Sequence, residues 1–230
     1  METKSANEKI EYTLKRGMRK TILLRVTPKC KVEVLAPRRI SQEFIDGFVQ
    51  SKREWIEKCL EKKAELARQR AAYRMDTLFF LGKEYPVRPG KEQEVLFDGS
   101  CFRVPNGEME ERRALVKAWY RQQGAEILKK RVQIWAEKMN TEYASVKITD
   151  ARTRWGSCSG NNQLNFSWRL LFASGRAVDS VVIHELAHTM VHAHSAEFWE
   201  IVARYCPEYQ QIQEELKALS EKLSVWGWSQ

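Results

Sequence analysis

A chain of 230 residues is long enough to bury a core of its own, in one domain or two. Its apolar content of 43% and charged content of 30% exclude wholesale disorder, and no apolar run reaches the length of a membrane span. The balance is basic, with 39 Lys and Arg against 30 Asp and Glu and a net charge of +9, which attracts polyanions without singling one out.

The first nine residues are polar and charged, and no apolar segment of a signal peptide follows them. The five cysteines are scattered and contain no C-x-x-C pair, which argues against a disulfide framework and against a cysteine zinc ribbon. A reducing cytoplasm is the expected compartment. Residues 21–26 and 31–35 alternate like short strands, joined by the turn-prone Thr27, Pro28 and Lys29, and Pro37 closes the block. Ser41 reads as an N-cap. Phe44, Ile45, Phe48, Val49, Trp55, Ile56 and Leu60 recur at helical spacing, so one long helix is expected over 41–75.

Residues 77–104 return to strand character, with Asp98 and Gly99 predicting a hairpin turn between 95–97 and 101–104. Pro105, Asn106 and Gly107 suggest a boundary, giving a strand-rich lobe over 1–105 and a second unit over 106–230. Residues 109–139 predict one or two helices, with Gly124 as the weak point. Two strands are expected over 145–149 and 163–168, separated by the turn-rich stretch 155–162. The remainder is expected to be helical apart from a break at 192–195.

All four histidines lie between positions 184 and 194. His184-Glu185-Leu186-Ala187-His188 is an H-E-x-x-H motif behind the apolar Val181, Val182 and Ile183. Positions four apart share one helix face, so both imidazoles reach one ion, while Glu185 falls beside the open coordination position and can take a proton from water there. A buried apolar helix also leaves its titratable residues in need of partners. His194 follows after a segment able to reverse the chain, with Ser195 capping a further helix that carries Phe198, Trp199, Ile201 and Val202. Three protein ligands and an open position form the catalytic zinc arrangement. His192 and Glu197 are the rivals to His194 as third ligand, and His194 is favoured over both.

Residues 154–159, 164–170, the His184 motif and 194–199 together closely resemble the YgjP-like metal-dependent hydrolases, relatives of the SprT-like zincins. Residues 36–41 and 81–85 extend that resemblance over most of the chain. It implies an α+β, zincin-like metallopeptidase core behind a β-rich lobe with a long helix. It also implies Zn2+ held by His184, His188 and His194, with Glu185 as catalytic base. The stretch before His194, Val191-His192-Ala193, departs from the family's usual pattern and leaves the role of His192 open.

Arg154, Asn165 and Arg169 are expected to line the cleft and hold an anionic group or a peptide backbone. A Ser157 or Cys158 nucleophile is disfavoured, because the histidines are already committed to the cluster. The leading expectation is a zinc metallopeptidase acting on a peptide or protein. A metal-dependent nucleoside triphosphate pyrophosphatase is the alternative, favoured by net charge but lacking a P-loop. A nucleic-acid-binding module with a structural metal, using the basic helix over 52–70, ranks last, since Glu54, Glu57, Glu61 and Glu65 balance that face. No membrane partner is expected.

Overall fold

The computed structural model describes residues 9–27 and 29–228, so the polar residues 1–8 and Pro28 lie outside the described residues. The chain divides into two compact units, Met1–Ala72 and Tyr73–Gln230. The expected boundary at 105/106 falls inside the second of these.

In the first unit, β1 (Thr13–Gly17), β2 (Leu23–Val26) and β3 (Val32–Pro37) form a sheet in the order β1-β3-β2. Strand β3 runs parallel to β1 and antiparallel to β2. Its alternation places Val32, Val34 and Ala36 in a small core with Ile45, Val49 and Ile56. Ser41 caps α1 (Gln42–Ser51) by accepting the Phe44 N–H at 3.3 Å. The single helix expected over 41–75 is in fact two, because α2 (Arg53–Ala72) starts afresh after Lys52. The Ser51 hydroxyl donates to the Phe48 carbonyl at 2.7 Å, a side-chain bond that competes with the helical ladder just where α1 stops.

In the second unit, β4 (Thr77–Phe80), β5 (Lys83–Gly90), β6 (Leu96–Phe97) and β7 (Phe102–Pro105) form a sheet in the order β4-β5-β7-β6. The hairpin at Asp98 and Gly99 is present. Asp98 accepts the Ser100 and Cys101 N–H groups, each at 2.9 Å, and Gly99 takes the φ of 89° that such a turn requires. Aromatic packing ties this sheet to the next helix, because Phe80, Phe97 and Phe102 pack edge-on against its Trp119.

That helix, α3 (Met109–Met139), is continuous for 31 residues. Gly124 does not break it. It is buried mid-helix, where an added methyl would sit 3.6 Å from Ile148 and 3.7 Å from Leu171. A second sheet has the order β8-β10-β9, from β8 (Ser145–Thr149), β9 (Gly156–Cys158) and β10 (Gln163–Ser167). Strand β9 lies inside the stretch expected to be only a turn, and it is the antiparallel edge of an otherwise parallel pairing. After a 3-10 turn over Trp168–Phe172 come α4 (Gly175–Met190), α5 (Ala196–Tyr205) and α6 (Tyr209–Val225). The α+β class is the one expected. No helix among the described residues is long and apolar enough to cross a membrane.

Asp150 anchors the segment that leads into β9. Its carboxylate accepts from Lys117 Nζ (2.6 Å), Arg169 Nη1 (2.7 Å) and Trp168 Nε1 (2.9 Å). Partial burial works to raise its pKa, but these three donors outweigh burial and hold it well below the usual carboxylate range. A depressed carboxyl contributes stability above its unfolded value, about pH 4, and loses it as pH falls toward the folded value. Asp150→Asn is therefore expected to lower the unfolding free energy in urea by roughly 2 kcal/mol at pH 7. The difference from wild type should narrow below about pH 4, and a pH-independent difference would exclude this ion-pair hub as its source.

Candidate metal centre

Helix α4 begins at Ser174, whose hydroxyl accepts the Ala177 N–H at 3.2 Å, and buries Val181, Val182, Ile183, Leu186 and Ala187. That burial fixes the rotation of the helix, so His184 and His188 emerge together one turn apart. The chain leaves the helix at Val191, which adopts an extended conformation (φ −136°, ψ 104°), and turns back through His194. Ser195 then caps α5 by accepting the Phe198 N–H. The reversal expected from the sequence is there.

His194 Nε2 stands 3.2 Å from His188 Nε2 and 3.3 Å from His184 Nε2. Tetrahedral zinc with bonds of about 2.0–2.1 Å requires nitrogen separations of roughly 3.3–3.4 Å, which both His194 separations match, and the three donor atoms together lie within 4.8 Å of one another. Among the described residues this is the one cluster of His, Cys, Asp or Glu able to hold a metal. His192 and Glu197 are exposed and are not part of it.

Two of the imidazoles are held from behind by hydrogen bonds. His188 Nδ1 pairs with the Val191 carbonyl at 3.2 Å, which requires the proton on Nδ1 and leaves the Nε2 lone pair pointing inward. His184 Nδ1 pairs with the Tyr209 hydroxyl at 2.9 Å. Each of the three rings is also stacked on its own aromatic partner. His184 lies against Tyr209 (centroids 5.6 Å apart, planes 9° apart), His188 against Phe198 (4.4 Å, 27°) and His194 against Trp199 (5.5 Å, 25°). Burial, with the other two histidines adding, holds His184 down to about 4 and so keeps the ring neutral. Burial likewise lowers His188.

Glu185 is buried on the wall formed by β9. Gly156 makes room for it: a Cβ at that position would lie 2.7 Å from both Glu185 Cγ and Oε1. The Cys158 backbone N–H donates to the carboxyl. Burial pushes Glu185 up to about 7, against the opposing effects of the Arg154 charge and that N–H. The Cys158 thiol is pushed up by its own burial and then by the Glu185 charge, the reverse of what a nucleophile needs.

The expected substrate residues are placed differently from one another. Arg154 is exposed and close enough to Glu185 for its charge to act there. Asn165 Nδ2 donates to Ser157 Oγ across the β9–β10 pair. Arg169 is buried, with Nη1 on Asp150 and Nε on the Trp228 carbonyl. Tyr209 had no signal in the sequence, since nothing in its spacing ties the start of α6 to the histidine motif. Phe198 and Trp199 read only as an apolar helix face.

The model of the YgjP-like, metallopeptidase domain family matches residues 20–219. Among solved structures, the metallopeptidase zymogen abylysin of Pyrococcus abyssi is similar at 18% identity, covering 40% of this chain and 92% of that one, with a TM-score of 0.37. The metallopeptidase zymogen jannalysin of Methanocaldococcus jannaschii gives 19% identity, 41% and 96% coverage, and a TM-score of 0.36. Comparison with curated proteins returns no match.

Tyr209→Phe keeps the stacked ring and deletes the bond to His184. It is expected to weaken metal affinity by about tenfold or more in a chelator competition. Unchanged affinity would mean that stacking alone orients His184.

Proposed function

The chain belongs to the YgjP-like metallopeptidase family, and from that premise we propose that it is a zinc peptidase whose ion is held by His184, His188 and His194. The single observation that carries the reading is the convergence of three imidazole nitrogens within 4.8 Å of one another on the H-E-x-x-H helix and the turn that follows it. A bound zinc would supply Lewis acidity toward a scissile carbonyl and a more acidic water.

Glu185 is the proton carrier in this proposal. Its carboxylate accepts a proton from the attacking water and returns it to the departing amine, so the residue ends the cycle as it began. Burial, which pushes its pKa up, opposes the lowering that a nearby zinc charge would bring, and so keeps the carboxyl able to hold a proton as well as to release one.

Strand β9 supplies the substrate rail. Ser167 N–H donates to the Trp155 carbonyl and Ser159 N–H to the Gln163 carbonyl, with Ser157 opposite Asn165. The backbone groups of Gly156 and the Cys158 carbonyl therefore point away from β10, toward the open edge, while the Cys158 N–H is held by Glu185. An extended peptide pairs there by strand addition, its carbonyls beside the Glu185 carboxyl.

The basic helix face behind the nucleic-acid alternative is largely neutralised within α2, for example by Lys58 on Glu54 and Arg68 on Glu65. Purified protein is expected to cleave casein-type peptides and to leave nucleoside triphosphates intact. Glu185→Gln should retain one metal ion per chain by mass spectrometry while kcat falls by roughly 10²–10⁴. Gly156→Ala crowds the same carboxyl and should lower kcat with metal retained. Peptide cleavage that survives Glu185→Gln would overturn the assignment, and turnover of triphosphates alone would replace the substrate class.

A further inference from the structure

A pocket of about 260 Å³ is lined by Arg152, Arg154 and Arg169 together with Ser220 and Leu223 of α6. Its lining holds three guanidinium groups and no carboxylate. Asp150, the nearest acid in sequence, is already occupied: Oδ1 accepts from Trp168 and Arg169, and Oδ2 accepts from Lys117. Arg152 and Arg154 are exposed and make no ion pair with a described residue. Arg169 uses Nε and Nη1 in the fold, which fixes its guanidinium plane and leaves Nη2 without a hydrogen-bond partner among the described residues. A buried, oriented guanidinium beside two unpaired ones forms a concave anion trap.

The pocket lies beside the substrate rail. Arg154 stands two residues before Gly156, and two Cα steps span at most roughly 7 Å. The Arg154 charge also acts on the Glu185 carboxyl that packs on Gly156, so this wall of the pocket borders the open edge of β9. A peptide paired on the open edge of β9 presents carboxylates as its anionic groups, so a carboxylate is the anion the pocket would meet.

We propose that this pocket binds a carboxylate of the peptide substrate, close to the bond that is cut. The inference rests on the metallopeptidase reading and deepens it: the preferred substrates carry either a free C-terminal carboxylate or an acidic side chain at that position. Both sources present the same planar, bidentate acceptor to the arginines.

Binding is measured by fluorescence anisotropy on the full-length, metal-loaded Glu185→Gln protein, with two pairs of labelled peptides. One pair differs only in a free or amidated C-terminus, the other only in Asp or Asn at an internal position. At least one acid is expected to bind roughly tenfold tighter than its neutral partner, as charge-assisted hydrogen bonds allow. That preference should weaken with added salt and disappear in a variant that also carries Arg152→Gln and Arg154→Gln, with its melting temperature as the control for folding. The pair that shows the preference identifies the source of the carboxylate. Acid and neutral peptides that bind alike, or a preference that survives loss of both arginines, would overturn the proposal. Because binding is read on a protein without its base, failure of the wild type to cleave any peptide would remove the metallopeptidase reading while leaving the anion preference to be judged separately.

Discussion

The site depends on one steric fact: the carboxyl of Glu185 occupies the space that a side chain on residue 156 would need. A carboxyl in an apolar wall is costly unless something receives it, and β9 receives it with a glycine for room and the Cys158 N–H for a donor. That contact seats α4 against the strand. With the helix seated, its two histidines project from one face, one turn apart, beside the carboxyl that rests on β9. Sheet, helix and buried carboxyl are thus positioned by the same close approach.

The imidazoles are constrained differently. A histidine on a helix keeps two soft side-chain torsions, and three such rings would rarely converge unaided. Here His184 and His188 each have a fixed partner at Nδ1, and all three rings have an aromatic plane behind them. Two of those aromatic rings come from the first turn of α5, so the cap at Ser195 does more than start a helix. It places Phe198 and Trp199 while the residue before it, His194, turns inward. Rings held from behind in this way lower the cost of gathering three ligands around one ion.

The legibility of each feature in the sequence depends on where its constraint is encoded. The His184–His188 pair and Glu185 are local, fixed by helical periodicity and an apolar face, and their placement comes from spacing alone. His194 and its capping serine are nearly as local. The expected α+β class also holds. Strand β9 was hidden because three residues with small side chains resemble a turn until β10 lies beside them. Tyr209 is invisible for the same kind of reason, since its bond to His184 joins residues 25 apart. Arg169 has the composition of a ligand-binding residue, and its commitment to Asp150 and Trp228 depends on long-range packing that no window of sequence contains. The break at Lys52 falls in a stretch whose helix propensity is unbroken, where the Ser51 hydroxyl bonds to the Phe48 carbonyl.

The turn from Val191 to Ser195 also orders the assembly of the site. His184 and His188 come into register as soon as one turn of α4 forms, a local event on the sub-microsecond to microsecond scale of helix growth. His194 arrives only when the chain has reversed and Phe198 and Val202 of α5 have entered the core. A chain caught before that step presents two imidazoles, a weaker and more promiscuous set than three. The full set of three imidazoles therefore exists only on a molecule whose core is closed.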